Sequence, residues 1–76
     1  MYKQLMRLKR LRVEKNITQR EMAKSLGISW SQYAQKENGY FPFTQWEVER
    51  LRAILKTTYD DIFIKEEKRD YSYGTR

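Results

Sequence analysis

The chain has no cysteine and no histidine, a single proline and only three glycines among its 76 residues. Without cysteine there are no disulfides and no thiolate chemistry, and without both residues the usual zinc ligands and the commonest general base are gone. There is no glycine-rich phosphate loop, so catalysis would fall on the acid pair Asp60-Asp61 alone. Two aspartates at a helix start are better read as partners of the helix dipole. No enzymatic activity and no cofactor are expected. No apolar run approaches the roughly 18 residues that span a bilayer, and the opening Met1-Tyr2-Lys3-Gln4 lacks a signal-peptide core. The expectation is a soluble, cytoplasmic protein with no membrane partner, and the length allows one domain with a small core.

Acidic residues are scarce in one part of the chain only. The net charge of +6 and the pI near 9.7 point to a polyanionic partner. Residues 1–20 carry seven basic side chains (Lys3, Arg7, Lys9, Arg10, Arg12, Lys15 and Arg20) against Glu14, while the other 56 residues balance nine basic with nine acidic. The whole excess therefore sits at the front of the chain, where it forms either a solvated helix face or a phosphate-contacting one.

One pattern occurs three times: an apolar residue, Ser or Thr, two arbitrary positions, Glu or Gln, and a second apolar residue. The copies are Ile17-Thr18-Gln19-Arg20-Glu21-Met22, Ile28-Ser29-Trp30-Ser31-Gln32-Tyr33 and Phe43-Thr44-Gln45-Trp46-Glu47-Val48. Each predicts a helix start, with a capping box between the hydroxyl and the Glu or Gln and an apolar staple across it. The first start leaves about two turns before Gly27, and the second follows at Ser29, so two short helices must cross steeply in a helix-turn-helix arrangement. A helix from about Lys3 to Lys15 precedes them, closed by Asn16, with Leu5, Leu8, Leu11 and either Met6 or Val13 inward. The second helix turns Met22, Ala23 and Leu26 inward. The third ends near Asn38-Gly39, and Pro42 prevents its continuation. A fourth carries Val48, Leu51, Ile54 and Leu55, and a weaker opening at Thr58 predicts a short fifth. The fold class is all-α, with four to five short helices in residues 1–64. Residues 65–76, with Tyr71 and Tyr73, have no periodicity and read as a charged tail.

The segment from Leu8 to Phe63 resembles the Cro/CI, or Xre-like, family of helix-turn-helix repressors, giving a lambda repressor-like bundle. The resemblance is carried by Leu11-Arg12, by Ile17-Thr18-Gln19 with Glu21-Met22-Ala23, and by Leu26-Gly27-Ile28-Ser29. It continues through Glu37-Asn38-Gly39 with Pro42, Leu55 and Asp61-Ile62-Phe63. It implies that the third helix enters the major groove of double-stranded DNA while the second crosses the backbone. By position it makes Trp30, Ser31 and Gln35 base readers, with Ser29 and Gln32 close by, and makes Gln19 and Asn38 phosphate contacts, with Arg20 and Tyr40 beside them. Arg12 and Glu37 resemble a structural pair that ties the first helix to the end of the third. A small phage or mobile-element repressor acting as a homodimer on an inverted repeat is the implied function.

Several residues keep two readings. Ser31, Gln35 and Asn38 share one helical stripe, which is either solvated or groove-facing, and Gln can pair with adenine N6 and N7. Trp30 aligns by periodicity with Tyr33 and Glu37 in the core, yet by family position it faces DNA, where it could pack on a thymine methyl. Gln32 is needed as a capping partner. Lys36 stands where the family has an apolar residue, so either its stem lies along the core or helix 3 is rotated. If its head emerges beside DNA, it contacts phosphate. Tyr40, Phe41 and Trp46 either top up the core or form a dimer or partner interface. The alternative function keeps the fold but makes it a protein-interaction module or antitoxin, with the aromatic loop and the tail binding a partner protein.

Overall fold

The computed structural model describes residues 5–63. Five helices follow one another: α1 (Met6–Glu14), α2 (Gln19–Leu26), α3 (Trp30–Glu37), α4 (Gln45–Leu55) and α5 (Tyr59–Phe63), with no strand among the described residues. All three repeated patterns form complete capping boxes. The hydroxyls of Thr18, Ser29 and Thr44 accept from the backbone N–H of Glu21, Gln32 and Glu47 at 3.0, 3.0 and 3.1 Å. Each Glu or Gln reaches back to the N–H of its cap residue. The weaker opening also works, because Thr58 Oγ1 accepts from the Asp61 N–H. The Asp61 carboxylate is used elsewhere, on Arg7.

The helix ends share one device. Asn16, Gly27, Gly39 and Lys56 lie in the left-handed region with φ of 60°, 74°, 88° and 54°. After each, an N–H folds back across the last turn: Ile17 to Arg12, Ile28 to Ala23, Tyr40 to Gln35 and Thr57 to Arg52. These bonds satisfy carbonyls that a helix terminus would otherwise leave orphaned. The next cap residue follows closely after α1, α2 and α4, which keeps the connections short.

Leu8, Met22, Ala23, Leu26, Tyr33, Leu51, Leu55 and Ile62 form the buried core, with Leu5, Leu11, Ile17, Ile28, Phe43, Ile54 and Phe63 packed around it. Helix α2 packs on α3 and α4, and α1 packs on α3 and α5. The small Ala23 sits buried on α2. Met6 and Val13 are both exposed, so the inward stripe of α1 is Leu5, Leu8 and Leu11, with Arg12 added. Helix α1 begins at Met6, later than the expected Lys3, because Leu5 is a non-helical cap residue whose N–H donates to the Glu37 carbonyl. The tail with Tyr71 and Tyr73 lies outside the described residues.

Among the described residues, three ion pairs join one helix to another. Arg7 of α1 grips Asp61 of α5 through Nε and Nη2. Arg12 of α1 meets Glu37 of α3, and Lys36 of α3 meets Glu47 of α4. Burial alone would raise the Glu47 carboxyl. Hydrogen bonds from Lys36 and the Thr44 backbone, together with the charge of Lys36, hold it below the usual range. Glu47 thus caps α4 and anchors α3 with one carboxylate.

Candidate nucleic-acid interface

Helix α3 has two faces of different character. Tyr33 and Glu37 point into the core, whereas Trp30, Ser31, Gln32 and Gln35 are exposed. Asn38 is half-buried at the end of the helix. Ser29 and Gln32 spend their hydroxyl and carboxamide oxygens on the cap. Trp30, which periodicity grouped with Tyr33, stands outside the core at 51 % exposure. The physical reason is position: in the first turn of a short helix, its ring lies over the start of α2. There its Nε1–H donates to Gln19 Oε1 at 3.3 Å, and the Arg20 guanidinium stacks 4.5 Å from the ring centroid.

Gln19 connects this surface to the interior. Its Nε2 donates to Glu37 Oε1 at 2.8 Å. The same carboxylate accepts from Arg12 Nε at 2.9 Å, Arg12 Nη2 at 3.2 Å and the Tyr33 hydroxyl at 2.8 Å. Arg12 also donates through Nη1 to the carbonyl of Ile17, the residue before the α2 cap, at 2.7 Å. Burial alone would lower the Arg12 pKa, but the hydrogen bonds and charge of Glu37 raise it overall. Burial and Glu37 together push the Tyr33 phenol well above its ordinary value. One buried network therefore fixes the end of α1, the start of α2 and both ends of α3.

The basic residues from Leu5 to Arg20, taken with Lys36, divide into two groups. Arg7, Arg12 and Lys36 are committed to carboxylates. For Lys36 this corrects the phosphate assignment: its ammonium lies 2.6 and 2.8 Å from the two Glu47 oxygens and 5.9 Å from the Phe43 ring centroid. The stem follows the core and helix 3 is not rotated, since Tyr33 and Glu37 stay buried on their expected face. Lys9, Arg10, Lys15 and Arg20 have no acidic partner among the described residues and are exposed. Lys9 and Arg20 line an open cleft with Arg12, Thr18, Gln19 and Trp30. The cleft places two cations, the capped start of α2 and the outer end of α3 on one surface.

A sequence profile for a helix-turn-helix domain matches residues 6–67. The chain belongs to the helix-turn-helix family. No curated protein matches it. Membership in the helix-turn-helix family points to a DNA-binding regulator, and no helix among the described residues is long and apolar enough to cross a membrane. In this helix-turn-helix domain α2 and α3 are the paired helices, joined through Gly27, Ile28 and Ser29. The loop after α3 exposes Tyr40 and Phe41, and Trp46 follows on α4 at 57 % exposure with the Arg50 guanidinium 5.2 Å over its ring. None of the three tops up the core. Tyr40, Phe41, Pro42 and Phe43 line a groove together with Leu5, Tyr59 and Phe63. The sequence offered no local sign of the Arg7–Asp61 tie, whose members lie 54 residues apart.

Proposed function

We propose that the protein is a sequence-specific transcriptional repressor of the Cro/CI, Xre-like kind, binding an inverted repeat as a homodimer and occluding polymerase at a promoter. The observation that carries this reading is the exposed stripe of Ser31 and Gln35 beside Trp30, flanked by Lys9 and Arg20, cations with no acidic partner among the described residues. An exposed Gln on a helix that enters the major groove can pair with adenine N6 and N7. Lys9, Arg20 and the start of α2 supply contacts to the phosphates on either side. Asn38 and Tyr40 are assigned to the backbone beyond α3, and Ser29 and Gln32 to a supporting position at the edge of the groove. Half-sites would lie about one helical turn, roughly 34 Å, apart.

The aromatic groove supports the two-fold part of the reading. Tyr40 and Phe41 line this groove at about half exposure and Trp46 is exposed on α4, and this is the surface assigned here to a second copy of the chain. A protein-interaction module or antitoxin would use the same groove for a different chain. Selection of duplexes from a random pool, followed by titration in increasing salt, separates the two. A symmetric motif with a steep loss of affinity in salt is expected, and failure to enrich any motif at low salt would favour the protein-binding reading. Gln35→Ala should then relax preference at one base pair per half-site by about 1 to 3 kcal/mol. A uniform loss at every sequence would remove Gln35 from the readers.

A further inference from the structure

We propose that Trp30 reads the 5-methyl group of a pyrimidine in the major groove, and that Gln19 and Arg20 are the positioning residues that make the indole suitable for this. The inference rests on the DNA-binding reading of α3. A free indole is a hydrogen-bond donor through Nε1–H and accepts nothing, so it would seek an acceptor on a base edge. Here that donor is already engaged by Gln19 Oε1. Gln19 is not free to release it, because its Nε2 is donated to Glu37 and turning the amide over would set oxygen against a carboxylate and nitrogen against an indole N–H. Glu37 is itself held by Arg12 and Tyr33. On the ring face the Arg20 guanidinium adds a second anchor.

With the donor occupied and one face stacked, the ring presents carbon to solvent in the first turn of α3. The apolar feature that a base edge offers in the major groove is the methyl on C5, present on thymine and on 5-methylcytosine and absent from uracil and cytosine. An indole held in this way cannot distinguish bases by hydrogen bonding, but it can bury a methyl. The Gln19 amide is thereby reassigned: its hydrogen bonds run inward to Glu37 and across to Trp30, and its main effect is on the ring rather than on a phosphate.

The test uses the full chain and the duplex enriched from a random pool. Each thymine is replaced in turn by deoxyuridine, and at responsive positions cytosine is compared with 5-methylcytosine opposite guanine, with affinity read by fluorescence anisotropy. One thymine per half-site should weaken binding about four-fold on conversion to uracil, the factor that burial of one methyl supplies. A matching gain for 5-methylcytosine over cytosine would extend recognition to both bases, and a response to uracil alone would assign it to thymine. Trp30→Ala should bind the thymine and uracil duplexes equally. Gln19→Leu, which frees the indole N–H, should narrow the thymine-to-uracil ratio more than it lowers affinity for the uracil duplex. An enriched motif with no uracil-sensitive position, or discrimination that survives in Trp30→Ala, overturns the inference and leaves DNA binding standing. A pool that yields no motif overturns both.

Discussion

Glu37 is 2 % exposed, and a carboxylate in that position is tolerable only if its lone pairs are used. Arg12, Gln19 and Tyr33 use them, and each comes from a different place in the first three helices. Removing either charge leaves the other buried without compensation, a loss of about 3 to 5 kcal/mol. That is a large share of the roughly 5 to 15 kcal/mol that holds a small domain folded. Arg12→Met and Glu37→Gln should therefore each melt many degrees below the parent. Arg12→Met combined with Glu37→Gln should cost clearly less than the two single changes added, since neither charge is then stranded. Thermal melts of the four proteins form a double-mutant cycle, and strictly additive losses would mean that the buried pair is not the source of the cost. The effect on binding should exceed that on folding wherever Gln19 is disturbed, because Glu37 holds the amide that holds Trp30.

At the level of helices, the starts were legible in the sequence because a capping box is a local device. The partners Thr18 and Glu21, Ser29 and Gln32, and Thr44 and Glu47 lie three residues apart, and the helix starts need nothing else. The stops were legible where glycine marked them. Lys56 carried no such mark, yet it adopts the same left-handed conformation as Gly27. Apart from Arg12 and Glu37, which the family resemblance paired, contacts that depend on a distant partner could not be read from the sequence. Trp30 is drawn outward by Gln19, 11 residues back, and Lys36 is drawn inward by Glu47, 11 residues on. Periodicity placed Trp30 with the core because it knows the angle around the helix and not where the helix ends. The shared closing device gives a paired prediction. A Cβ added at Gly27 meets nothing within 4 Å, so Gly27→Ala carries only backbone strain, about 1 to 2 kcal/mol. Lys56→Gly relieves the same strain and should raise the melting temperature by a few degrees, less than the full amount because glycine also frees the unfolded chain. Opposite signs in the two melts are expected; a stabilising Gly27→Ala or a destabilising Lys56→Gly would contradict the closing role.

Across the whole molecule the net charge of +6 overstates what is available to a polyanion and misplaces it. Of the basic residues concentrated at the front of the chain, Arg7 and Arg12 are tied to Asp61 and Glu37, and they act on the fold rather than on phosphate. Lys9, Arg10, Lys15 and Arg20 keep their charge for solvent or for a partner. Counterion release makes this division measurable, because each phosphate neutralised adds about 0.9 to the slope of log K against log salt. Lys9→Ala should lower that slope by about one unit and leave the melting curve where it was, since Lys9 is exposed and lines the open cleft. Arg7→Ala should do the reverse. It breaks a bidentate, partly buried contact between α1 and α5, worth about 1 kcal/mol, so melting should fall by several degrees with the salt slope unchanged. A slope that fell for Arg7→Ala and not for Lys9→Ala would mean that the polyanion approaches the α1–α5 side of the bundle, and the assignment of α3 to the groove would then have to be given up.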